Sequence, residues 1–129
     1  MAGRFRIFGA ELSPYSVKVR AYFRFKQIPH QWIIRSAAVQ EEFNRYAKLP
    51  IIPLVVTPSA EGLQDSTLVI ENLETHYPEN SIYPTDTTLN FVSTLLEEFG
   101  DEWGNKWMFH MRWAKEIDQL SSARRIAQL

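Results

Sequence analysis

The sequence predicts an α/β domain built on a mixed sheet, followed by an incomplete all-α region. Two observations carry that prediction. Between residues 4 and 80, short extended segments and longer segments of helical spacing succeed one another as β-α-β-α-β-β-α. Strands separated by helices, closed by a hairpin, make a sheet of mixed direction with helices packed on it. From Thr87 onward no strand pattern occurs, and Leu89, Val92, Leu95, Leu96 and Phe99 form an apolar stripe at helical spacing.

Residues 4 to 8 alternate polar and apolar side chains, the period of a half-buried strand. From Ser16, the residues Val17, Val19, Ala21, Tyr22, Phe23 and Phe25 recur at helical spacing. That helix must stop near Gln27-Ile28-Pro29, where proline cannot continue it. Residues 30 to 34 read as a second strand and residues 38 to 47 as a short polar helix. A strand with a proline near its start spans residues 51 to 57; Pro58 to Gly62 is turn chemistry, and Leu63-Gln64 is the returning strand. Asp65, Ser66 and Thr67 offer N-cap oxygens to a helix carrying Leu68, Val69, Ile70 and Leu73.

Around Tyr83-Pro84-Thr85-Asp86 the character changes, so the expected domains are residues 1–82 and 83–129. Within the second, Gly100 and Gly104 weaken helix propensity, while Trp103, Trp107, Met111 and Trp113 are expected to be buried or to wall an apolar pocket. About 45 residues of helix do not close a bundle alone. The chain reaches Leu129 with helical character and no stop signal, and so reads as truncated.

The bulk numbers narrow the function. Hydrophobic residues at 45% and charged residues at 22% describe a globular chain rather than a disordered one. A net charge of -1 makes no electrostatic case for nucleic acid or an anionic membrane surface. No apolar run approaches the roughly 20 residues that cross a bilayer, and the first residues lack the apolar segment of a secretory signal. The expectation is a cytoplasmic protein without nucleic-acid or membrane partners. Zero cysteines exclude disulfides, thiolate metal sites and a cysteine nucleophile. His30, His76 and His110 do not stand at metal-ligand spacing, so no metal is expected. Glu97, Glu98, Asp101 and Glu102 read as a solvated helix face.

The residues able to carry chemistry lie where one element hands over to the next. Ser13-Pro14-Tyr15-Ser16 opens the first helix, Ile52-Pro53 precedes the third strand, and Asp65-Ser66 opens the third helix. A serine at such a handover caps a helix, presents a hydroxyl to a ligand, or does both. In this order and spacing the three features resemble the N-terminal domain of glutathione transferases over residues 4 to 80, and the helical remainder resembles the start of that family's second domain.

The resemblance implies a thioredoxin-like fold with glutathione as co-substrate. A cysteine thiol has a reference pKa of about 8.5, and lowering it by roughly two units takes about 2.7 kcal/mol of preferential thiolate stabilisation. By resemblance to the serine-type members, Ser13 supplies a hydroxyl donor for that purpose, beside the positive end of a helix. Ser16 is the rival hydroxyl; Tyr15 and Tyr22 are expected to pack. Relatives that exchange disulfides carry a cysteine where Ser13 stands, and this chain has none.

Pro53 is expected to be cis, with the Ile52 backbone pairing with the cysteinyl unit of glutathione. Lys48-Leu49-Pro50-Ile51 is a competing assignment. Leu54-Val55-Val56 makes the better strand, and Pro53 leaves 12 residues to Asp65 where Pro50 leaves 15. Choosing Pro53 argues against a role for Lys48 at the glycyl carboxylate. Asp65 is expected to take the γ-glutamyl ammonium, and Ser66 with the helix N–H groups its carboxylate. The family more often carries glutamate at the first of these positions, one methylene longer. The implied function is conjugation of glutathione to a small electrophile by a full-length, homodimeric enzyme; the 129 residues alone need not be active. The alternative is a non-catalytic interaction or assembly module of the same fold.

Overall fold

The computed structural model describes residues 3–128, which divide into two compact units, one ending at Pro78 and the other covering residues 79–128. Met1, Ala2 and Leu129 lie outside the described residues, and with Leu129 the helical character expected at the last position.

In the first unit, β1 (Phe5–Gly9) leads into α1 (Pro14–Phe25), then β2 (His30–Ile34), a single 3-10 turn (Ala37–Val39) and α2 (Gln40–Tyr46). β3 (Leu54–Val56), β4 (Gly62–Gln64) and α3 (Ser66–His76) complete it. The sheet order is β2-β1-β3-β4. β1 runs parallel to β2 and antiparallel to β3, and β4 runs antiparallel to β3. This is the mixed sheet that the β-α-β-α-β-β-α order predicts, with the thioredoxin-like arrangement that the resemblance implies.

Proline explains two of the boundaries that differ from the sequence expectation. α1 begins at Pro14 rather than Ser16, because a proline in the first helical position loses only an N–H that the helix leaves unpaired anyway. β3 begins at Leu54 rather than Ile51, since Pro53 has no N–H to give a ladder. The Ile52–Pro53 bond is cis.

Strand alternation sorts the core into two halves. Phe5 and Ile7 of β1 join Val55 of β3 on one side, where they pack with Val19 and Phe23 of α1 and Val69 and Leu73 of α3. Phe8 of β1, with Leu54 and Val56 of β3, points the other way onto Phe43 of α2. At the sheet's edge the chain passes itself closely: a Cβ on Gly62 would lie 2.1 Å from the carbonyl oxygen of Tyr46. No rotamer change relieves a clash with backbone, so Gly62→Ala is expected to cost about 2–3 kcal/mol. A urea midpoint equal to that of the wild type would contradict this.

The second unit is helical. Asp86 caps α4 (Thr87–Phe99) by accepting the Leu89 N–H at 2.9 Å. α4 continues through a π-helical turn at Gly100–Gly104 into α5 (Asn105–Ala114), and α6 (Glu116–Ile126) follows. The glycines expected to weaken the helix bound that widened turn. Phe91, Leu95, Leu96, Trp103, Trp107 and Met111 are exposed and Trp113 is half-buried, so the tryptophan-rich stretch forms no buried core within this unit. Three helices offer too little apolar surface to cover it. Among the described residues, no helix is long and apolar enough to cross a membrane.

Candidate functional site

One row of strand register organises the site. Phe8 pairs with Leu54, and Leu54 pairs with Gln64. The chain just after Phe8, just before Leu54 and just after Gln64 therefore leaves the sheet at the same end. Those segments are the turn into Ser13, the Ile52–Pro53 step, and Asp65-Ser66. A further link ties α1 to the first turn of α3, where Lys18 Nζ donates to Thr67 Oγ1 at 3.4 Å.

Ser13 is the N-cap of α1, with extended backbone and its Oγ accepting the Ser16 N–H at 3.2 Å. The cap uses a lone pair of Oγ and leaves the hydroxyl hydrogen for another acceptor. Ser13 is half-buried, at the positive end of the α1 dipole. Ser16 is different: it is fully buried, and its Oγ has no hydrogen-bond partner among the described residues. It packs against Gly9, whose missing Cβ would lie 2.8 Å from the Ser16 Cβ and 2.5 Å from the Trp32 ring. Tyr22 is in the core, and Tyr15 is half-buried.

The turn before Ser13 is anchored from α1. Arg20 grips Glu11 through paired contacts of 2.6 and 2.8 Å and stacks 4.2 Å from the Trp32 ring centroid. The hydrogen bond to Glu11 raises the Arg20 pKa against the opposing effect of desolvation, so the guanidinium is charged throughout.

Asp65 caps α3, its Oδ1 accepting the N–H groups of Thr67 at 3.0 Å and Leu68 at 3.3 Å. It does so with φ at 75°, a left-handed value that costs a non-glycine residue on the order of 1–3 kcal/mol and that clusters at ligand sites. Ser66 follows in the first turn and is 6% exposed. Pro53 is buried and Ile52 half-buried.

The residue that sequence reasoning missed is Gln64. Its Oε1 accepts from Lys48 N at 2.8 Å and Leu49 N at 3.0 Å, and its Nε2 donates to Leu49 O at 2.8 Å and Ile51 O at 2.9 Å. Nothing local in the sequence announces this. The only signal is an amide at a strand end beside the proline-containing segment.

A groove of about 590 Å³ borders this end of the sheet, lined in part by Lys48, Leu49, Ile51, Asp65 and Leu68. Lys48, set aside by the choice of Pro53, thus lines the same groove as Asp65. Among the described residues, no group of three or more His, Cys, Asp or Glu side chains is arranged to hold a metal ion.

Comparison with known proteins adds to this geometry. Residues 7–81 match the family model described as the glutathione S-transferase N-terminal domain. A pyrimidodiazepine synthase of Drosophila melanogaster is 28% identical over 100 residues, covering 74% of this chain and 41% of the synthase. A glutathione S-transferase of Methylobacillus flagellatus, solved with glutathione bound, superposes with a TM-score of 0.64 at 26% identity, over 75% of this chain and 48% of that one. A second, from Methylobacterium radiotolerans in complex with glutathione sulfonate, superposes at 0.68 with 24% identity, over 76% and 47% of the two chains. The chain thus spans about half the length of these relatives or less.

Proposed function

The chain belongs to the glutathione S-transferase family, and from that premise we propose that it binds glutathione through Ser13, Ile52, Pro53, Asp65 and Ser66. The observation that carries the reading is the register row Phe8–Leu54–Gln64, which sends the segments bearing these residues out of one end of the sheet. The glutathione held by the Methylobacillus flagellatus transferase supports the same ligand here.

In this reading the thiol proton leaves to water, and the Ser13 hydroxyl donates to the thiolate that remains. The positive end of α1 favours the same charge. Ser13 suits the role better than Ser16, whose side chain is sealed inside. The Ile52 backbone pairs with the cysteinyl unit as a short added strand. Asp65 and the N-terminus of α3 receive the γ-glutamyl end, and Lys48 offers a cation to a carboxylate. The thiolate then attacks an electrophilic carbon; the carbon–sulfur bond forms, and the leaving group departs with its bonding pair. The full-length protein is a cytoplasmic homodimer in this account. Exposed Leu49, Ile51 and Leu68 around the groove suit a subunit contact.

Titrating the chain with reduced glutathione by calorimetry tests the reading. Saturable binding at millimolar concentration or below is expected. Heat of dilution alone would discard it in favour of a non-catalytic interaction module of the same fold.

A further inference from the structure

We infer that Gln64 is a positioning residue for this site: its side-chain amide holds residues 48–51, and through them the Ile52 backbone, in register with Asp65. The inference rests on the glutathione reading above.

A glutamine amide has two acceptor lone pairs and two N–H donors. All four are engaged here, by Lys48 N, Leu49 N, Leu49 O and Ile51 O. The amide has no capacity left for a ligand, so Gln64 acts through the segment it holds. That segment needs holding. Residues 47–53 belong to no helix or strand, so their backbone groups lack the ladder that orders β3. One side chain on β4 stands in for the missing strand, bonding both N–H and C=O groups as a neighbouring backbone does.

The location gives this a consequence. Gln64 directly precedes Asp65, and Ile51 directly precedes Ile52. A single amide therefore joins two of the three ligand-bearing segments. A peptide that pairs with the Ile52 backbone requires that backbone to be already extended and fixed, since ordering it on binding lowers affinity.

Two variants, Gln64→Leu and Gln64→Glu, with calorimetric glutathione titration and amide hydrogen exchange of the whole chain, test the inference. In Gln64→Leu, the amides of Lys48 and Leu49 are expected to exchange about tenfold faster and the glutathione Kd to rise about tenfold. Gln64→Glu keeps the shape and still accepts from both N–H groups, but at pH 7 it turns a carboxylate oxygen toward two carbonyls. It donates to neither carbonyl, so its glutathione Kd should also rise. In both variants the amides of α1 and α3 are expected to keep wild-type protection, whereas a general loss of stability would speed their exchange as well. Should Gln64→Leu fail to fold, the affinity and helix protection of Gln64→Glu decide alone.

Wild-type affinity in either variant at pH 7, or a loss of affinity accompanied by faster exchange throughout α1 and α3, would overturn the inference while leaving the glutathione reading intact. Absence of saturable binding by the wild type would overturn that reading, and the inference with it.

Discussion

Ser13→Ala is expected to lower kcat/KM for conjugation of glutathione to a reactive aryl halide by about 10- to 100-fold in the full-length protein. A hydrogen bond to a charged partner contributes about 1.5–3 kcal/mol, which converts to that range. The loss should be largest near neutral pH and smaller in alkali, where the thiol ionises without help. The substitution also removes a helix cap, worth about 1 kcal/mol, so two further variants separate the effects. Ser13→Thr keeps both cap and hydroxyl and should retain most activity. Ser13→Asp keeps the cap but sets a carboxylate against the thiolate, and should be as stable as the wild type yet inactive. Ser16→Ala removes a buried hydroxyl without a described partner and should leave the pH profile of conjugation in place. Loss of activity in Ser16→Ala with none in Ser13→Ala would reverse the assignment.

The second large effect concerns stability. Where α1 packs on α3, the Glu74 carboxylate accepts the Tyr22 hydroxyl at 2.7 Å and pairs with Lys26 Nζ at 2.8 Å. The Lys26 and Glu74 side chains are only 2% and 7% exposed. Breaking a buried pair by removing one partner costs about 3–5 kcal/mol, because the other charge stays behind in a poor solvent for it. Glu74→Ala should therefore remove a large share of the roughly 5–15 kcal/mol that holds a domain together. Urea denaturation measures it. A loss below about 0.5 kcal/mol, the size of an ordinary surface substitution, would contradict the account. Because α1 and α3 present Ser13 and Asp65 at their N-termini, glutathione binding should fall along with stability.

Much of this was legible in the sequence because much of it is local. Ser13 and Asp65 read as caps from their own chemistry and the apolar spacing after them. Choosing Leu54-Val55-Val56 as the third strand set Pro53 ahead of Pro50, and the sheet contains that strand. What was not legible depends on packing between distant residues. The Gln64 amide reaches backbone groups 13 to 16 positions away. Ser16 is buried against Gly9, which arrives from β1, so hydroxyl chemistry alone did not separate it from Ser13. The Tyr22–Glu74–Lys26 cluster likewise joins helices far apart in the chain, and Tyr22 alone reads only as an apolar helix position.

The central claim is that this chain holds glutathione as its thiolate. Following the ultraviolet absorbance of the thiolate against pH, with glutathione bound to the wild-type protein, tests it most directly. A midpoint roughly two units below the reference value of about 8.5 is predicted. A bound thiol that titrates at the pH of free glutathione would contradict it.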